Sequence, residues 1–212
     1  MPEINKINDI DVFGEGCGAV KEIEILGANR FETFSKTRAG SRAVIVRDGM
    51  ILLTHETRSG WWLVPGGGME EGETPEESCV REVEEETGCI VRPVRPFLTL
   101  YEYYEEYRYI SHYFICEITG TGQMHRTEAE IRRGVEPQWL PLREAIDIFS
   151  RHQSYAEDSE EKRGSYLREY TALQAYLADG RQPNEACGKN LIRESFWNRG
   201  LSDCQRKRRP LL

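Results

Sequence analysis

GGGMEEGETPEESCVREVEEETGC, residues 66–89, sets nine carboxylates between Glu70 and Glu86 against a single basic residue, Arg81. Thr74 is a good helix N-cap, Pro75 suits the first helical position, and Glu77, three residues after Thr74, completes a capping box. Gly88 is a natural stop, so the spacing predicts a helix over 75–87. On that helix Cys79, Val80 and Val83 share a face that can pack on a sheet, while Glu82, Glu85 and Glu86 share a neighbouring face. A solvated acidic helix usually mixes Lys with Glu, but here three carboxylates converge with no Lys or Arg four residues on. Either a proton is retained or a cation is bound. Hard oxygen donors at this density suit magnesium, with manganese as a substitute, rather than zinc. The preceding Pro65-Gly66-Gly67-Gly68 leaves the backbone open to close approach by a ligand.

Outward from this segment the chain reads as strands and helices in alternation. Ala43-Val44-Ile45-Val46 and Met50 to Thr54 are two apolar β-type runs flanking Asp48-Gly49, a hairpin signal. A short strand around Trp62 to Val64 precedes the glycines. Beyond the helix, IVRPVRPFLTLYEY and YRYISHYFICEI flank a turn from Tyr104 to Tyr107. A polar loop, 119–135, leads to a last strand, PQWLPL, and helices are expected over 144–150 and 164–178. The alternation in Val20 to Leu26 suits a strand, although the glycines at 14, 16, 18 and 27 break up its surroundings. The expected organisation is an N-terminal extension (1–36), a central domain (37–150), a helix packing on it (151–182) and a basic tail (183–212).

The 212 residues are 39% hydrophobic and 30% charged with a net charge of -8, enough apolar material for one sizeable core. Residues 183–212 hold seven Lys or Arg and three acids, a balance of +4, which leaves the remainder at -12. No overall positive field exists to attract polyanions, so neither a membrane surface nor a stable nucleic-acid partner is expected, and an anionic substrate would need metal ions to screen it. No run of eighteen apolar residues occurs and the N-terminus is too polar for a signal peptide; the expectation is a cytoplasmic protein. The six cysteines form no CxxC pair and are read as reduced.

Gly67, five residues, Glu73, seven residues, then Arg81-Glu82-Val83-Glu84-Glu85-Glu86-Thr87-Gly88 resembles the Nudix box. The one departure is Cys89 in place of the final aliphatic residue. The order of elements over roughly 37–150 is similar to a Nudix domain. The resemblance implies an α/β class fold, an α/β/α sandwich with a mixed sheet, and hydrolysis of the pyrophosphate of a nucleoside diphosphate derivative. It implies Glu82, Glu85 and Glu86 as divalent-metal ligands with the Gly67 carbonyl, and an Arg81–Glu73 pair that braces the helix. The general base is Glu82 or a downstream carboxylate, with Glu128, Glu130 and Glu136 as candidates. Gly66 and Trp62 are candidates for the substrate pocket, and His55 and His112 are expected to be structural. The tyrosines at 101, 103, 104, 107, 109 and 113 read first as strand and core formers and only second as base-stacking groups. Candidate substrates are small nucleotides: 8-oxo-dGTP, ADP-ribose and other nucleotide sugars, and dinucleoside polyphosphates. A nucleotide sensor without turnover is the alternative, and a homodimer pairing through the N-terminal strand is a further expectation.

Overall fold

A computed structural model describes residues 20–180. The basic tail read over 183–212, and three of the six cysteines, lie outside the described residues. Strands β1 (Lys21–Leu26), β2 (Lys36–Val44), β3 (Val46–Arg47), β4 (Met50–Glu56), β5 (Trp61–Leu63) and β6 (Gly66–Gly68) precede helix α1 (Pro75–Thr87). Strands β7 (Cys89–Tyr104) and β8 (Tyr107–Thr121), helix α2 (Glu128–Arg133), strand β9 (Val135–Pro141), and helices α3 (Leu142–Ser150) and α4 (Glu160–Asp179) follow. The main sheet runs β1-β7-β8-β2-β6, and it is mixed: β1 with β7 and β2 with β8 are parallel, β7 with β8 and β2 with β6 antiparallel. β4 carries β3, β5 and β9 as antiparallel partners in a second sheet.

Alternation along the strands divides the core between two faces. Ala43, Ile45, Phe114 and Cys116 point to one side, where Cys79 and Val83 of α1 meet them. Val44, Tyr113, Ile115, Leu98 and Leu100 point to the other, under Tyr166, Leu173 and Tyr176 of α4 and Phe149 of α3. Helices therefore cover both faces of a mixed sheet, the α/β/α sandwich that the sequence implied. The Asp48-Gly49 hairpin forms with both residues at positive φ, 51° and 75°, and Arg47 opposite Met50, the geometry of a type I′ turn.

The strand expected in Val20 to Leu26 forms as β1 and joins the main sheet, and Tyr101 and Tyr103 donate from β7 to Glu22 and Glu24, each at 3.2 Å. Two sequence expectations change. The loop 119–135 contains α2, capped by Thr127 and Glu130 and closed by Gly134 in the left-handed conformation. α4 also starts a turn earlier than expected, because Ser159 accepts the Lys162 amide as N-cap and Gly164 lies inside the helix. Gly164 is required there by the Tyr104 hydroxyl, which would stand 2.6 Å from a Cβ.

Candidate metal and catalytic site

The α1 helix forms as its sequence dictates. Thr74 accepts the Glu77 amide at 3.2 Å, Glu77 returns to the Thr74 amide at 2.9 Å, and Gly88 closes the helix with φ of 70°. Burial of Cys79 and Val83 on the sheet fixes the helix rotation, and with it the side on which Glu82, Glu85 and Glu86 stand.

Arg81 is the hub. Its Nε and Nη2 donate to the two oxygens of Glu73 at 2.8 and 2.9 Å, the bidentate geometry suited to a guanidinium. Nη1 donates to Glu82 at 2.8 Å and Glu85 at 3.2 Å, and Nη2 to the Gly68 carbonyl at 3.0 Å. The brace expected from Glu73 is present, and one cation also answers two members of the acidic face. These hydrogen bonds hold the Glu73 carboxyl well below its usual range, at about 2, and raise Arg81 further above its own.

Glu86 faces the other way. Its Oε2 accepts the Gly66 amide at 3.0 Å, and its burial pushes the carboxyl up to about 8, against the lowering influence of that amide and of Arg42. Glu82 is also raised, first by burial and then by the charges of Glu85 and Glu130, although Arg81 opposes this. Its carboxylate lies flat against Gly67, where any Cβ would collide with it. That contact explains why glycine is needed at this point of β6.

Of the three downstream carboxylates, Glu130 is the one whose charge reaches both Glu82 and Glu86. It does so while its Oε2 caps α2 at Thr127, 2.7 Å from the amide. Glu128 is exposed and pairs with Arg132 at 3.6 Å, and Glu136 stands opposite His55 on β4.

The Trp62 ring stacks on His55 with centroids 3.9 Å apart and an interplanar angle of 9°, and packs against the α4-side core. His55 and His112 take structural positions, the latter 3.4 Å from Thr99 Oγ1. Arg42 was not anticipated. Its Nη1 donates to the carbonyls of Val64 at 3.1 Å and Gly66 at 3.4 Å, tying β2 to the glycine strand, and it stands 3.7 Å from the buried Glu169.

Among the described residues no three Asp, Glu, His or Cys side chains stand close enough to close a metal site as placed. Glu82 and Glu85 are turned to Arg81, and Glu86 to Gly66. The donor set nonetheless fits a hard divalent cation. It consists of carboxylate oxygens beside a glycine backbone, two of them raised by burial and mutual repulsion, a state that a cation relieves.

Comparison with known proteins agrees with this geometry. The NUDIX domain family model matches residues 36–160, more than half of the chain. A Bacillus subtilis protein named as an uncharacterized Nudix hydrolase is 43% identical over 51 residues, 24% of this chain and 32% of that protein. Mouse diphosphoinositol polyphosphate phosphohydrolase 3-alpha is 29% identical over 106 residues, 50% of this chain and 63% of its own. A putative ADP-ribose pyrophosphatase of B. subtilis is 32% identical over 92 residues, 41% of this chain and 44% of that one. The matched stretch thus spans between 32% and 63% of these relatives' own lengths. With the box helix, its glycine strand and its arginine brace in place, the chain belongs to the Nudix domain family.

Proposed function

We propose that the protein is a divalent-metal-dependent pyrophosphohydrolase, cleaving the pyrophosphate bond of a nucleoside diphosphate derivative by attack of water on phosphorus. The observation that carries this reading is the Arg81 hub, which holds Glu82 and Glu85 on the helix face next to Glu86, itself bonded to the Gly66 amide. Glu82, Glu85 and Glu86, with the Gly67 carbonyl, would hold magnesium or manganese. Such an ion polarises a phosphoryl oxygen and neutralises charge in the transition state.

The protein's own groups have separable tasks. Arg81 fixes Glu82 through a short charge-assisted bond and is itself fixed by Glu73, so the acidic face is preorganised from behind. The Gly66 amide orients Glu86, and Arg42 steadies the strand from which that amide projects. The general base is Glu82 or a downstream carboxylate, and among Glu128, Glu130 and Glu136 it is Glu130 whose charge acts on both Glu82 and Glu86. The relatives named for ADP-ribose and for diphosphoinositol polyphosphates keep both nucleoside diphosphate sugars and densely phosphorylated substrates in the panel.

The test is a screen of 8-oxo-dGTP, ADP-ribose, nucleotide sugars, dinucleoside polyphosphates and diphosphoinositol polyphosphates, reading released phosphate and nucleotide. Turnover of one class with magnesium, abolished by EDTA and restored by magnesium or manganese, is expected. Tight binding of one compound without hydrolysis of any would replace this reading with that of a nucleotide sensor.

A further inference from the structure

Ser41 of β2 is completely buried, yet its Oγ has no hydrogen-bond partner among the described residues. Alternation places it on the α1 side of the sheet, two residues before Ala43, which packs with Cys79 and Val83. Its cross-strand neighbours in that row are Gly67 on β6 and His112 on β8. Gly67 has no side chain, and Ala39 and Ala43, which flank Ser41 on the same face of β2, carry no acceptor. The His112 Nδ1 lies 3.4 Å from Thr99 Oγ1, on the strand away from Ser41. A buried hydroxyl left unbonded costs free energy that alanine, the residue two positions away on either side, would spare.

The polar group beside this hydroxyl is the Glu82 carboxylate. A Cβ built on Gly67 would strike it, Oε2 first, so the carboxylate fills the space that a side chain opposite Ser41 would occupy. Opposed residues of an antiparallel pair hold their Cβ positions about 4.5–5.5 Å apart, which brings the Ser41 hydroxyl within a side-chain rotation of Oε2. The bond from Arg81 goes to the other oxygen, Oε1, at 2.8 Å. Glu82 therefore has one oxygen held by a guanidinium and the second next to an unused donor. Building on the metal-dependent reading of the site, we propose that Ser41 is a positioning residue: its hydroxyl donates to Glu82 once that carboxylate turns from Arg81 to a divalent cation. A cation competes with Arg81 for the charge of Glu82, whereas a neutral hydroxyl orients the carboxylate without drawing that charge away.

Manganese binding to the full chain, followed through the EPR signal of the free ion, tests this role without turnover. Ser41→Ala is expected to weaken manganese binding about tenfold, the lower end of what losing a group that orients a metal ligand costs. The metal-free variant should melt at the parent's temperature or above it, because only an unbonded buried hydroxyl has been removed. Ser41→Thr keeps the hydroxyl and suits a strand, and should bind manganese more tightly than the alanine variant does. Parent-like manganese affinity in Ser41→Ala overturns the proposal while leaving the metal site in place. A lower melting temperature of metal-free Ser41→Ala also overturns it, since the hydroxyl would then be bonded in the absence of any cation. A parent protein that binds no manganese removes the metal-dependent reading and the role of Ser41 together.

Discussion

Arg81 and Arg168 each serve two or more carboxylates, yet they do opposite work. Arg81 is a single guanidinium beside Glu73, Glu82 and Glu85, with Glu86 and Glu130 close by, so negative charge is in excess and the cluster opens toward solvent. Arg168 and Arg42 face Glu169 and Glu102 at two against two, and the side chain of Glu169 is fully buried. In the proposed reading the unbalanced cluster at the glycine strand takes up a cation. A balanced one inside the sandwich fixes how α4 docks on the sheet, at the cost of desolvating its charges.

Removing ligand charge from the open cluster should have the largest effect on function and little on folding. Glu85→Gln or Glu86→Gln is expected to lower turnover by at least ~10²-fold. Thermal unfolding of the metal-free variants should stay close to the parent, because Glu86→Gln removes a carboxyl that burial already keeps largely protonated near neutral pH. Near-normal magnesium-dependent turnover in either variant would remove these residues from the site.

The balanced cluster should respond in the reverse sense. Glu169→Gln leaves Arg168 and Arg42 without their shared carboxylate in the interior, and the loss of a partner from such a pair costs about 3–5 kcal/mol. Urea unfolding should show that loss, while the kcat of whatever protein remains folded changes much less than in Glu85→Gln. A midpoint equal to the parent would show that α4 docks by apolar contact alone.

The contrast also explains what could be read from the sequence. The box helix was legible to its end residues because its capping box, its glycine stop and its apolar face are all local. The role of Glu73 was legible because the pattern fixes it relative to Arg81. The carboxylate that faces Arg42 and the guanidinium that faces Glu102 lie on α4, far along the chain, and no spacing rule connects them. The short helix α2 was the avoidable miss: Thr127 and Glu130 form the same capping box as Thr74 and Glu77.

A smaller effect is expected at the brace, where pH gives it a distinctive sign. Glu73 has a folded value of about 2 against an ordinary 4.5, so its bond to Arg81 stabilises the fold fully above pH 4.5 and loses that effect as pH falls toward 2. Glu73→Gln should therefore lower Tm at pH 7, with the gap from the parent closing as the medium is acidified below 4.5. At neutral pH its activity should fall by about 10- to 100-fold, the usual cost of removing a group that orients a metal ligand. A Tm gap independent of pH would mean that Glu73 acts through packing rather than charge.

The smallest expected effects separate the two helices by their caps. Thr74 participates in a reciprocal box and lies next to Glu73, whereas Ser159 contributes one bond, at 3.1 Å, to the Lys162 amide. Thr74→Ala should cost about 1 kcal/mol and Ser159→Ala about 0.5 kcal/mol, both measurable as shifts in the urea midpoint. Activity should divide them further. The first turn of α1 sets the height at which Arg81 meets Glu73, so fraying it loosens the acidic face, while fraying α4 leaves that face untouched. If Ser159→Ala lowered kcat as much as Thr74→Ala, the two clusters would have to be coupled through Arg42, and the division of labour between them would be wrong.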